Sequence, residues 1–295
     1  MTKPDLTAAE QFLAANARVL DRRRYDRLFA GGAAAPVLDA LRAYRTSDGG
    51  FGYGLEPDGR APDAQPLAIQ TALRIMDGAD AWDETLVRPA CDWLAANAPA
   101  EGGAVGATNA VLNWPRAPWW APEDGLPASP ISTGQLLAVL LRRKVEHPWC
   151  DSAIDLMWTV TDRLDPAAEV NLRDLGFGYR MLGVARFLDV APDAARAEAA
   201  IERLAPLLTG VVALDPEEPG ETQSPLGFAP DPDGRLRRLF TAEVIEAHVE
   251  HLAAAQAEDG GWTFPWLSWS PVAGADWRGT LTVDALHLLR VHGRM

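Results

Sequence analysis

Two short acidic stretches carry the residues best suited to proton chemistry. Glu56-Pro57-Asp58-Gly59-Arg60, with Asp63 just beyond, lies between a glycine turn and an apolar helical stretch. Asp231-Pro232-Asp233-Gly234-Arg235 repeats it with one residue changed. An acid that protonates an alkene or a glycosidic oxygen must be held neutral, by burial or by a like-charged neighbour. Glu56, Asp58, Asp63, Asp231 and Asp233 are therefore the catalytic candidates. The same Pro-Asp-Gly order is also ordinary turn chemistry.

Eleven tryptophans surround this reading. Trp114, Trp119 and Trp120 share one proline-rich loop; Trp262, Trp266, Trp269 and Trp277 share another. Aromatic faces stabilise cations, line apolar pockets and stack on sugar rings. Trp114, Trp119, Trp120, Trp266 and Trp269 are the ligand-facing candidates, while Trp262 reads as a repeat residue. Arg235, Arg237 and Arg238 have the chemistry to clamp a diphosphate, or form a solvated helix start. His248, Glu250 and His251 place two imidazoles at i, i+3, but a metal would need a third ligand from elsewhere. Surface histidines are the simpler reading, and no metal is expected.

Other chemistries lack their residues. Lysine occurs only at positions 3 and 144, which leaves Schiff-base chemistry almost no candidate. Phosphate-loop, G-x-S-x-G, H-E-x-x-H and paired C-x-x-C motifs are absent. A net charge of −14 disfavours nucleic acid. No apolar run is long enough for a membrane span. The first residues lack a signal-peptide pattern, and two cysteines make no disulfide framework, so a cytoplasmic location is expected.

Helices must position these groups. The chain is 48% apolar and 23% charged, enough for a large core. Thr7 and Glu10 read as a capping box opening a helix over 7–29, and Ser132 with Gln135 repeats the pattern. Apolar periodicity marks helices near 34–45, 64–77, 84–98, 131–144, 150–164, 169–189, 193–210, 239–257 and 278–291. Period-2 runs are nearly missing, so the expected class is all-α, in a single domain spanning 1–295. The 25 glycines and 23 prolines gather in long loops over 46–63, 99–130, 211–235 and 258–277. Gly50-Phe51-Gly52-Tyr53 recurs as Gly176-Phe177-Gly178-Tyr179, which suggests helix–glycine turn–helix repeats.

Leu252…Gln256…Gly260-Gly261-Trp262 resembles the QW repeat of squalene cyclases and related terpene cyclases. Gly49-Gly50-Phe51-Gly52 followed by the helix from Gln65 resembles the repeat of protein prenyltransferase β subunits. Asp276-Trp277-Arg278-Gly279-Thr280 is similar to the last repeat of that group, which adds Asp276 and Arg278 to the substrate-binding candidates. The resemblance covers about residues 35–292. It implies an α/α toroid, with inner helices around a central cavity and outer helices around them. Ten expected helices fall short of six pairs, so either 211–238 hides a short inner helix or the register is shifted.

The catalytic motifs depart from that group. No D-x-D-D is present, and the position matching the zinc-binding His is Gly279. The resemblance implies an isoprenoid-handling enzyme with altered catalytic residues, using acid-initiated or diphosphate-dependent chemistry on an apolar small molecule. Zinc is not expected, and magnesium enters only if the substrate is a diphosphate. A carbohydrate-active α/α-barrel hydrolase or lyase, or a non-catalytic lipid- or partner-binding toroid, are the alternatives.

Overall fold

The computed structural model describes residues 2–123 and 125–295. Among them the chain is all-helical, with twelve α-helices, two short 3₁₀ turns and only isolated β-bridges. The chain groups into two compact units. The first comprises Met1–Ala90, Ala107–Pro122 and Val249–Met295; the second comprises Cys91–Gly106 and Glu123–His248.

The first unit is built on α1 (Leu6–Asn16), α2 (Val19–Phe29), α3 (Ala35–Arg42) and α4 (Pro66–Gly78), with the final helix of the chain, Pro271–Val291. The single helix expected over 7–29 is two helices. Asp5 is the cap, its side chain accepting from the Ala8 N–H, so Thr7 and Glu10 sit inside the first helix. Arg18 then takes an extended backbone, with φ −59° and ψ 153°. That break aims its guanidinium inward. The final helix starts seven residues before the expected 278. Ser270 caps it through the Ala273 N–H and Pro271 fills its first turn. Asp276 and Trp277 are therefore helix residues.

The Gln-Gly-Trp unit is a structural clamp. The Gln256 amide donates to the carbonyls of Asp5 and Gly260, both at 2.9 Å, and accepts from the Asp5 N–H at 2.7 Å. The Trp262 indole donates to the Leu252 carbonyl at 2.8 Å. Arg278 grips Asp259 with two bonds of 2.7 and 2.8 Å and lies over the Phe12 ring. A single motif thus pins the chain's first helix to its last.

The second unit holds α6 (Pro130–Arg142), α7 (Pro148–Asp162), α8 (Leu175–Val190) and α9 (Ala194–Gly210). Helix α5 (Glu84–Ala96) and helix α11 (Ala242–Ala254) have residues in both units. Ser129, not Ser132, caps α6. The second Gly-Phe-Gly-Tyr lies in the first turn of α8, not between helices, because Asp174 caps there by accepting from the Phe177 N–H at 2.8 Å. Within 211–238 there is one short helix, α10 (Pro225–Phe228); the final helix, Pro271–Val291, is α12.

Helices α6 and α8 cross with their backbones touching. A Cβ added at Gly134 would overlap the Gly183 carbonyl, and one at Gly183 would overlap the Pro130 carbonyl. Backbone cannot yield as a flexible side chain would. Gly183→Ala is expected to lower the unfolding free energy by about 3 kcal/mol or more. A denaturation midpoint within error of the wild type would contradict this packing.

Candidate active site

The site grows from the loop joining α3 to α4. Phe51 is fully buried and anchors its start, its carbonyl accepting from the Gln65 N–H at 2.9 Å. Tyr53 follows with φ 55°, a conformation unusual for a residue with a side chain. The Tyr53 N–H donates to the Ala61 carbonyl at 2.8 Å, which closes the loop on itself. The loop is stitched to residues 115–117: Ala117 N–H donates to the Asp58 carbonyl at 2.7 Å, and Arg60 N–H to the Pro115 carbonyl at 3.0 Å. The Trp120 ring lies against Gly59, where any added Cβ would strike it.

This stitching buries both acids, leaving Glu56 only 8% and Asp58 7% exposed. The Asp58 carboxylate sits between two indoles. Trp119 donates to Oδ2 at 2.9 Å and Trp277, from α12, to Oδ1 at 2.8 Å. Glu56 Oε2 accepts the Asp58 backbone N–H at 2.7 Å. Burial, reinforced by the negative charge of Asp58, pushes the Glu56 carboxyl up to about 8. The Asp58 N–H bond and the charges of Arg18 and Arg60 oppose that rise without cancelling it. Glu56 is therefore a neutral acid at pH 7.

Around the acids the arginines are already engaged. Arg18 bonds Asp21 at 2.9 Å, the Leu55 carbonyl at 2.9 Å and Thr280 Oγ1 at 2.7 Å. Burial would lower its affinity for a proton, but Asp21, with Tyr44 and Asp276, more than compensates and the net shift is upward. Arg60 pairs with Asp276 at 2.8 Å. Aromatic rings continue from Trp277: Trp266 meets it edge-on at 5.4 Å and stacks on Phe264 at 4.7 Å. Trp269 packs against the cluster of Ala61, Val111, Ala117 and Trp120.

The structure thus brings together Glu56, Asp58, Trp119, Trp120, Trp266, Trp269 and Asp276. Other candidates fall elsewhere. Asp63 is exposed, as are Asp231 and Asp233 in the second unit, where Asp231 accepts the Asp233 N–H at 3.0 Å in a local turn. Arg235 holds the carbonyls of Leu188 and Ala191 at the end of α8, and Arg238 pairs with Glu198. Arg278 is committed to Asp259. Trp114 is 43% exposed. His248 lies against the Leu214 carbonyl at 3.3 Å. Sequence reasoning missed Arg18, because no glycine or proline marks the break that turns it inward. It also missed Trp277 as an Asp58 partner, since only the fold joins them.

Among the described residues, no group of three or more His, Cys, Asp or Glu side chains is placed to hold a metal ion. The zinc set of the resembled prenyltransferases does not fit. At Gly279, where its histidine would stand, even a Cβ would come within 2.9 Å of the Ala17 methyl. An open groove of about 230 Å³ on α1 and α2 is lined by Leu13, Val19, Arg22 and Tyr25 among others, and by neither acid. No helix is long and apolar enough to cross a membrane among the described residues. No family model matches the chain, and no curated protein matches it.

The Glu56 shift has a measurable consequence for stability. Its proton is held up to about pH 8 in the folded chain, against a usual value of 4.5. Between those values the folded state binds more protons than the unfolded state, so stability falls as pH rises. The contribution is fully present below about pH 4.5, is gone above about pH 8, and amounts to a few kcal/mol. Glu56→Gln keeps the shape without the titration. Urea denaturation of wild type and variant at pH 5, 7 and 9 should show the variant gaining on the wild type as pH rises. Parallel pH profiles would contradict the assignment.

Proposed function

We propose that the first unit carries a general-acid active site. In it the protonated Glu56 gives its proton to an apolar isoprenoid alkene, in a chain whose helical repeats form an α/α toroid of the terpene cyclase and prenyltransferase kind. The observation that carries this reading is the buried Glu56 carboxyl, pushed up to about 8, beside the indole-held Asp58. Proton transfer breaks the Glu56 O–H bond and forms a C–H bond with the alkene's π electrons. The product pair is a Glu56 carboxylate and a carbocation. Asp58 and the faces of Trp119, Trp266 and Trp277 suit such a cation electrostatically. Glu56-Pro57-Asp58 would then do the work of the absent D-x-D-D. Asp63, Asp231 and Asp233 are exposed, whereas Glu56 is buried.

A second reading has its own support. Arg18, Arg60, Asp276 and Thr280 give the site a polar wall, and that suits a sugar. Protonating a glycosidic oxygen also develops positive charge, on an oxocarbenium ion, and needs a neutral acid with a carboxylate nearby.

The test assays squalene-like polyenes, prenyl diphosphates and oligosaccharides with the wild type, then with Glu56→Gln. Loss of the acid's proton should cost roughly 10²-fold or more in rate. The wild-type rate should fall as pH rises through about 8, where Glu56 ionises. Turnover of an oligosaccharide alone would favour the second reading. No turnover of any substrate sinks the acid proposal and favours a binding toroid; full activity in Glu56→Gln sinks the acid role and places the catalysis on other groups.

A further inference from the structure

Two hydrogen-bond donors beside the acids have no acceptor. Arg60 Nη2 and Trp269 Nε1 are both shut off from solvent and lack a partner among the described residues. Arg60 precedes Ala61, and Ala61 belongs to the cluster against which Trp269 packs. Leaving a buried donor unpaired is costly, and such groups in native proteins call for a reason. Neither side chain is sealed in. The Arg60 side chain is 25% exposed and Trp269 is half-buried, so a small rotation presents either donor to a ligand.

The surrounding charge decides what kind of acceptor fits. Arg18 and Arg60 are already matched by Asp21 and Asp276. Asp58 adds a further negative charge, and Glu56 accepts no second anion nearby without becoming still harder to ionise. A phosphate or carboxylate entering here would meet Asp58 and Asp276, with Arg18 and Arg60 already matched by acids of their own. An uncharged oxygen takes the same two donors without adding a negative charge.

We propose that Arg60 and Trp269 form a subsite for an uncharged oxygen of the ligand, a hydroxyl or carbonyl, so that the substrate is an oxygenated neutral molecule and not a diphosphate or a plain hydrocarbon. This rests on the acid-site reading above and narrows its substrate class. The oxygen can come from an isoprenoid alcohol or from a sugar, and the two are separated by the probe that binds.

The experiment is calorimetric titration of the full chain with farnesol, cellobiose, farnesene and inorganic pyrophosphate. Farnesol or cellobiose should bind, and farnesene and pyrophosphate should not. Trp269→Phe keeps the ring and deletes the donor. It should weaken the bound probe roughly 3- to 10-fold, the worth of one hydrogen bond. Arg60→Lys keeps the charge beside Asp276 while losing the planar fork, and should weaken it in the same direction. Tighter binding of pyrophosphate, unchanged affinity in a folded Trp269→Phe, or no binding by any probe overturns the subsite. So does a probe-soaked crystal in which an ordered water alone joins the two donors. The failures are separable. A probe held through Trp269 without Glu56-dependent turnover sinks the catalytic reading and spares the subsite. Glu56-dependent turnover with a KM untouched by Trp269→Phe does the reverse.

Discussion

The Asp58 carboxylate, held between two indole N–H groups, is the contact on which the site depends. Its partners come from distant parts of the chain, Trp119 from the loop at 114–120 and Trp277 from α12. One anion thereby ties the α3–α4 loop to both. Both Asp58 oxygens accept an indole N–H, while Glu56 accepts the Asp58 backbone N–H and is pushed up to about 8 by burial and by the Asp58 charge. The two acids are divided by their surroundings.

The arginines are arranged so as not to undo this division. A free guanidinium beside Glu56 would draw out its proton. Arg18 and Arg60 stand close enough to oppose the upward shift, yet each has its own acid, Asp21 and Asp276. The network runs on through Arg24, which joins Asp21 to Asp284, and through Arg74, which reaches Asp284 at 2.6 Å. Buried charges of this kind add little net stability, because desolvation offsets their attraction. Their effect here is positional: they hold α2, α4 and α12 in register around the acid pair.

The helical class was legible in the sequence because apolar periodicity survives whatever packs against it. The acid pair was legible too, as two carboxyls flanking a proline. What spacing could not distinguish was burial. Glu56-Pro57-Asp58 and Asp231-Pro232-Asp233 are nearly the same letters, yet one is roofed by Trp120 and Ala117 and the other is an open turn. The repeated Gly-Phe-Gly-Tyr misled for a similar reason: at Phe51 it is a turn, while at Phe177 the cap from Asp174 absorbs it into a helix. Ser270-Pro271 did announce the start of α12, but the tryptophans around it read more readily as loop. The turn at Arg18 had no local mark, since its cause lies in Asp21, Leu55 and Thr280.

The two halves of the Asp58 cradle are not held alike. Trp277 belongs to a helix, and its ring is fixed by Trp266, itself stacked on Phe264. Trp119 is 49% exposed and sits in a loop. Releasing its indole would cost about one hydrogen bond to a charged group, roughly 1.5–3 kcal/mol. Releasing Trp277 would disturb the ring stack as well. Any ligand reaching Glu56 in the proposed mechanism therefore meets less resistance on the Trp119 side. Freeing one Asp58 oxygen there would also turn that carboxylate toward the incoming positive charge while Trp277 keeps hold of the other.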